Sequence, residues 1–250
     1  MTIRFPRLTS ALLVGGLTIG ATAPAFAQEE EADTEGDTEH VVNLKSRCQQ
    51  AIERRLGDLH RTQTRIDGIE VLTEEHENTL DGIIDSTESG LAQLSEDIAG
   101  EDNRRELVQL CTQIATSYRV YLVVLPQTHL TVGADRVDAA AARGDELIDT
   151  FDTAVEAAIA AGADVDAAVA LRDQAVAHLA IAESSNSGVA AGALGVTPAS
   201  YNEGPGEVIL DTVRGALRAA HAELKAGVED GKAAIQALRD AIGDLGGPAV

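Results

Sequence analysis

The chain has 250 residues with 41 Asp or Glu against 19 Lys or Arg, a formal net charge of -22 at pH 7. A surface this acidic repels nucleic acid and anionic lipid, which both need a cationic patch, so the predicted partners include no nucleic acid and no membrane after leader removal. Lys is scarce while Arg, Ala, Gly, Asp and Val are common, the usage of a GC-rich bacterial genome.

Residues 1–27 read as an export signal. Arg4 and Arg7 supply a positive start, Leu8 to Pro24 is apolar and uncharged, and Ala25-Phe26-Ala27 has the small-x-small form of a signal-peptidase site. The mature chain is predicted to begin at Gln28 and to act outside the cytoplasm, secreted or associated with the cell envelope. An uncleaved anchor is the competing reading, weakened by the Gly and Thr that interrupt the stretch and by a length near the lower limit for a span. No Cys follows the apolar run for lipidation. Residues 28–40 are dominated by Glu, Asp, Thr and Gly, which predicts a disordered acidic leader.

Beyond it, apolar residues recur at steps of three and four, the spacing of helices with one apolar seam each. A first helix is predicted over Val41–Leu72, with Cys48, Ile52, Leu59, Ile66 and Ile69 on its seam. Thr73 before Glu74 and Glu75 is a helix-start signal, and the second helix carries Leu80, Ile84, Thr87, Leu91, Leu94 and Ile98. Gly100 closes it, and Glu101-Asp102-Asn103 caps a long third helix. Leu107, Cys111, Ile114, Tyr118, Tyr121 and Leu125 form one seam of that helix; Val137, Ala141, Gly144, Ile148, Phe151 and Val155 form a second. The phase slips between them at Pro126, which predicts a kink. A further helix from Val165 carries Val169, Leu171, Ala175 and Leu179. The last, Glu207–Leu245, carries Leu210, Val213, Leu217, Ala220 and Leu224, then Ile235, Leu238, Ile242 and Leu245. The link between these two, Ser184 to Gly206, is rich in turn residues and is a candidate binding edge. The predicted fold class is all-α, an elongated antiparallel helical bundle or coiled coil. Its two three-helix bundles, 41–130 and 131–250, would share the long kinked helix.

Cys48 and Cys111 are the only cysteines, and an even pair in an oxidising compartment predicts a disulfide. Helices one and three run parallel in an up-down-up topology. Cys48 lies seven residues after Val41 and Cys111 eight after Asn103, so the two sit at nearly the same height at about 1.5 Å per residue. No metal site or cofactor is predicted, since no His or Cys stands at ligand spacing beside them.

Tyr118, Arg119, Tyr121 and His129 crowd the predicted kink and are the candidate ligand or interaction residues. Freed backbone and convergent Tyr, Arg and His groups would suit an anionic ligand. The structural alternative has both tyrosines filling the seam, Arg119 paired with an acid and His129 capping the freed carbonyl. The stretch Arg119-Val120-Tyr121-Leu122-Val123-Val124-Leu125-Pro126-Gln127-Thr128-His129-Leu130, with the later Thr197-Pro198-Ala199-Ser200-Tyr201-Asn202, resembles a group of uncharacterised, signal-bearing helical proteins of GC-rich Gram-positive bacteria. The resemblance covers most of the mature chain and implies an exported helical fold, but no activity or ligand.

Catalytic patterns are missing. None of the six His residues has Glu three positions before it, as a di-iron bundle requires, and zincin, P-loop and EF-hand motifs are absent. Acidic rows such as Asp81, Asp85 and Glu88 read as a solvated helix face. The expected function is non-enzymatic: an exported helical scaffold or protein-interaction protein, acting through a protein partner or self-association. A small-ligand module built on the Pro126 cluster is the alternative.

Overall fold

The computed structural model describes residues 34–245, which form helices α1 (Thr34–Ile66), α2 (Glu74–Gly100), α3 (Arg104–Thr116), α4 (Leu125–Ala160), α5 (Asp166–Asn186), α6 (Val189–Leu194), α7 (Pro198–Asn202) and α8 (Pro205–Leu245), with a π-helical turn at Val120–Val124 before α4. No strand occurs among the described residues. The all-α class follows from the seams. Ile52, Leu59 and Ile66 of α1 pack with Leu80, Ile84, Leu91, Leu94 and Ile98 of α2 and with Leu107 and Ile114 of α3, all of them buried. Thr73 caps α2 by accepting from the His76 amide, and Asn103 caps α3 by accepting from Arg105 and Glu106.

Cys48 and Cys111 form a disulfide between α1 and α3, with Cα atoms 5.7 Å apart. At the same end Lys45 Nζ donates to the Ala99 carbonyl at 3.1 Å and to Asp102 at 2.8 Å, tying the start of α1 to the end of α2.

Several boundaries differ from the sequence reading. Residues 34–40 are helical rather than part of a disordered leader over 28–40. The signal at 1–27 and the rest of the leader lie outside the described residues. α1 stops at Ile66 rather than Leu72: a turn through Asp67 and Gly68 brings Ile69 N to the Ile66 carbonyl at 2.9 Å and folds Leu72 back into the core.

The long kinked helix is in fact two helices, and the break precedes Pro126. α3 ends at Thr116, Arg119 takes a left-handed φ of 43°, and the π turn follows, with Leu125 N bonded to the Val120 carbonyl. Pro126 occupies the first turn of α4, where no N–H is needed. The wider π turn also spares its ring a clash with the carbonyl four residues back. The Ser184–Gly206 link is likewise mostly helical. α5 runs to Asn186, and α6 and α7 follow, α7 opened by a capping box in which Thr197 and Ser200 exchange hydrogen bonds of 2.9 and 3.1 Å. Gly188, at φ 79°, and Gly204, at φ 101°, supply the turns that only glycine adopts without strain.

In the second half α5 runs antiparallel to α4, with Asn186 against Ala134 and Arg172 against Asp152. α8 runs parallel to α4: Leu217 meets Gly133, and Leu238 shares a core with Phe151 and Val155. His178 of α5 ties it to α8 through Glu223 at 2.6 Å and Asp230 at 3.4 Å.

α4 also carries a buried polar row that joins the two halves. Gln127, Thr131 and Asp135, four residues apart, are all under 4 % exposed. Gln127 Nε2 donates to the carbonyls of Ala193, Leu194 and Val196 at 2.9, 3.3 and 2.6 Å, closing the C-terminus of α6. Asp135 accepts from the Thr73 amide at 2.8 Å and pairs with His76 Nδ1 at 2.7 Å, closing the N-terminus of α2. Asp135→Ala is expected to destabilise the fold by about 3 kcal/mol, because it removes two hydrogen bonds to a buried carboxylate and leaves the Thr73 amide without its acceptor. Asp135→Asn, which keeps an acceptor for Thr73, should lose about 1 kcal/mol. Urea denaturation at pH 7 measures both, and equal losses would remove the charge from the explanation.

Candidate functional site

The π turn is the joint of the molecule, and the four residues singled out beside it point in different directions. The Tyr118 hydroxyl donates to the Gly90 carbonyl at 2.8 Å, its ring filling the space a Cβ at Gly90 would need. Arg119 turns the other way: Nε donates to Asn202 Oδ1 at 2.6 Å, and the guanidinium lies 5.1 Å from the centre of the Tyr201 ring. Asn202 Nδ2 then donates to the Thr116 carbonyl at 2.8 Å, satisfying a group freed where α3 ends. Left-handed backbone at a non-glycine residue costs on the order of 1 to 2 kcal/mol, and these contacts hold it in place. The Tyr121 hydroxyl donates to Asp58 at 2.8 Å, and the Arg55 guanidinium stacks 5.0 Å from its ring. His129 is exposed and makes no hydrogen bond or ion pair among the described residues.

Electrostatics follow these pairings. Burial, then the charge of Asp97, raises the Tyr118 hydroxyl above its ordinary pKa; burial, then the bond to Asp58, does the same at Tyr121. The Tyr121 hydroxyl, with Arg61, holds the Asp58 carboxyl below the usual carboxylate range. These are intramolecular pairings, and the four side chains do not converge on one pocket. The two segments that carried the resemblance, around Arg119 and around Asn202, do meet, although 83 residues separate the bonded pair. A cleft of about 540 Å³ lies beside them, with Tyr118, Ser86, Thr87 and Thr197 in its wall. No group of three or more His, Cys, Asp or Glu able to hold a metal ion lies among the described residues.

No protein-family model, curated protein or solved structure matches this chain.

An unpartnered apolar surface lies in the other half, between α4 and α8. Leu147 is 67 % exposed, Val228 52 %, Ile235 41 % and Ile242 46 %. The first three, with Ile148, Phe151 and Leu224, line an open groove of about 360 Å³ whose floor is Ala175 and Leu179 of α5. Small residues keep it shallow and wide: a Cβ at Gly144 would stand 2.7 Å from Leu179 Cδ1. Arg143, Arg172 and Lys232 edge it, and no Asp or Glu does. Sequence reading placed Ile235 and Ile242 in the core seam of the last helix. The buried row of α8 instead includes Val213, Ala220, Ala234 and Leu238, so this helix carries a second, outward seam. The signal was present as β-branched residues at 228, 235 and 242, seven apart.

Proposed function

We propose that this protein is a non-catalytic helical scaffold that works outside the cytoplasm by docking a protein partner. The observation that carries the reading is the α4–α8 groove, an apolar surface that three helices shape and none of them covers. Exposed apolar surface of this continuity marks an interaction site in a stable protein. The disulfide between α1 and α3 and the leader-like residues 1–27 support an extracytoplasmic setting. No helix among the described residues is long and apolar enough to cross a membrane. The kinship suggested by the Arg119 and Thr197 segments belongs to the same reading, with the two segments serving as the joint that orients one half on the other. A small-ligand role at the joint is the second reading, favoured by the cleft beside Tyr118.

Partner capture from the native culture envelope separates the two. Leu147→Asp with Ile235→Asp is expected to abolish capture without changing helical circular dichroism, because both side chains are exposed. Arg119→Ala with His129→Ala should lower thermal stability by about 1 kcal/mol and leave capture intact. The reverse pattern, capture lost only in the joint variant at an unchanged melting point, would make the joint the functional site.

A further inference from the structure

The groove's charge defines its occupant more closely, and the inference rests on the docking reading above. α8 presents Leu224, Val228, Gly231 and Ile235 to the groove at steps of four, three and four, with Ile242 exposed seven residues further on, the pattern of a helix seam awaiting another helix. Along one flank of that seam, at seven-residue spacing, stand Lys225, Lys232 and Arg239. On α4 the opposite rim carries Arg143, and Arg136 stands one repeat earlier on the same helix. Lys225 has Glu229 at 3.8 Å on its own exposed helix; Lys232, Arg239, Arg143 and Arg136 make no hydrogen bond or ion pair among the described residues. Arg172 at the far end is already held by Asp152 at 3.2 Å and Asp173 at 3.3 Å.

In a chain with 41 acidic and 19 basic residues, an apolar groove edged by Arg143, Arg172 and Lys232 and by no Asp or Glu is a local reversal of charge. The spacing of the cations matters as much as their sign. A ligand with a single anionic head would be met by cations gathered at one end, whereas these are spread along the groove at the repeat of a helix. Flanking charges of this kind select partner and orientation in helix pairing. From Leu224 to Ile242 the seam spans 19 residues, a rise of about 27 Å at 1.5 Å per step, enough for about five turns of a partner helix.

We infer that the α4–α8 groove binds an amphipathic helix whose apolar stripe is flanked by Asp or Glu, completing a four-helix bundle with α4, α5 and α8. The partner is a separate acidic-flanked helical segment, not a second copy of this chain.

The test titrates the purified protein with two synthetic 18-residue helices that share a Leu and Ala seam, one flanked by Glu and the other by Lys, read by fluorescence anisotropy. The Glu-flanked helix is expected to bind at least tenfold tighter at low salt, with the preference shrinking as salt screens the rims. Arg143→Glu with Lys232→Glu should invert the preference, and Val228→Asp with Ile235→Asp should abolish binding of both helices at an unchanged circular dichroism spectrum. Equal binding of the two helices, abolished by the Asp variant, would overturn the acidic partner while leaving the groove as a docking surface. Binding of neither helix, or binding that the Asp variant leaves untouched, would overturn the partner and the groove together. A wild-type dimer in sedimentation that the Asp variant converts to monomer would replace the proposed partner with a second copy.

Discussion

Gln127→Leu is expected to lower stability by about 3 kcal/mol, more than its size or position in the sequence suggests. The two N–H groups of this side chain serve three carbonyls, those of Ala193, Leu194 and Val196, at the end of α6. Leucine matches the volume but carries no donor. The bonds to Ala193 and Val196 are buried, and each buried acceptor left without a partner costs about 1 to 3 kcal/mol. Loss of the cap should act locally first. α6 contributes Val189, Ala190 and Ala193 to the core shared with Val123, Leu130, Leu210 and Val213, so amide exchange should accelerate through residues 189–202 before α1 and α2 are affected. Urea denaturation gives the first quantity and residue-resolved hydrogen exchange the second. A loss under about 0.5 kcal/mol, the size of an ordinary surface substitution, would mean that the α6 carbonyls find other partners and that Gln127 is incidental.

Removing the disulfide should have the larger effect on the whole molecule. Cys48 and Cys111 are 63 residues apart, and the chain-entropy estimate for a loop of that length gives about 4 kcal/mol. For a chain of this size 1 kcal/mol moves Tm by about 2 to 4 °C, so Cys48→Ala with Cys111→Ala, or reduction of the native protein, is expected to lower Tm by about 10 °C. Alanine is the apt replacement because Cys48 is buried. The loop encloses α2 and the facing parts of α1 and α3, and the α4–α8 groove lies wholly outside it, so peptide binding at the groove should be unchanged below the new melting point. Calorimetry with and without reductant measures the first effect. A Tm shift under 2 °C would mean that packing of Ile52, Leu59, Leu91 and Leu107 already restricts the chain as tightly as the bond does.

The all-α class, the seams of α1 and α2, the caps at Thr73 and Asn103 and the pairing of Cys48 with Cys111 were legible from the chain alone. Each depends on spacing within a few turns of one helix or, for the cysteines, on comparing heights along two. Where the third helix breaks was not legible, although the phase slip was. Pro126 marked the neighbourhood, but the break sits at Arg119 because Asn202 holds the arginine and caps Thr116 from 83 and 86 residues away. Nothing in the spacing of Gln127, Thr131 and Asp135 marks them for burial, since only the docking of the ends of α6 and α2 turns Gln127 and Asp135 inward. The groove was hidden for the opposite reason. Apolar periodicity states which residues of α8 favour burial, not whether a neighbour arrives to bury them. Val213, Ala220 and Ala234 meet such a neighbour while Val228, Ile235 and Ile242 are left facing water, because three helices surround a core with one side still open.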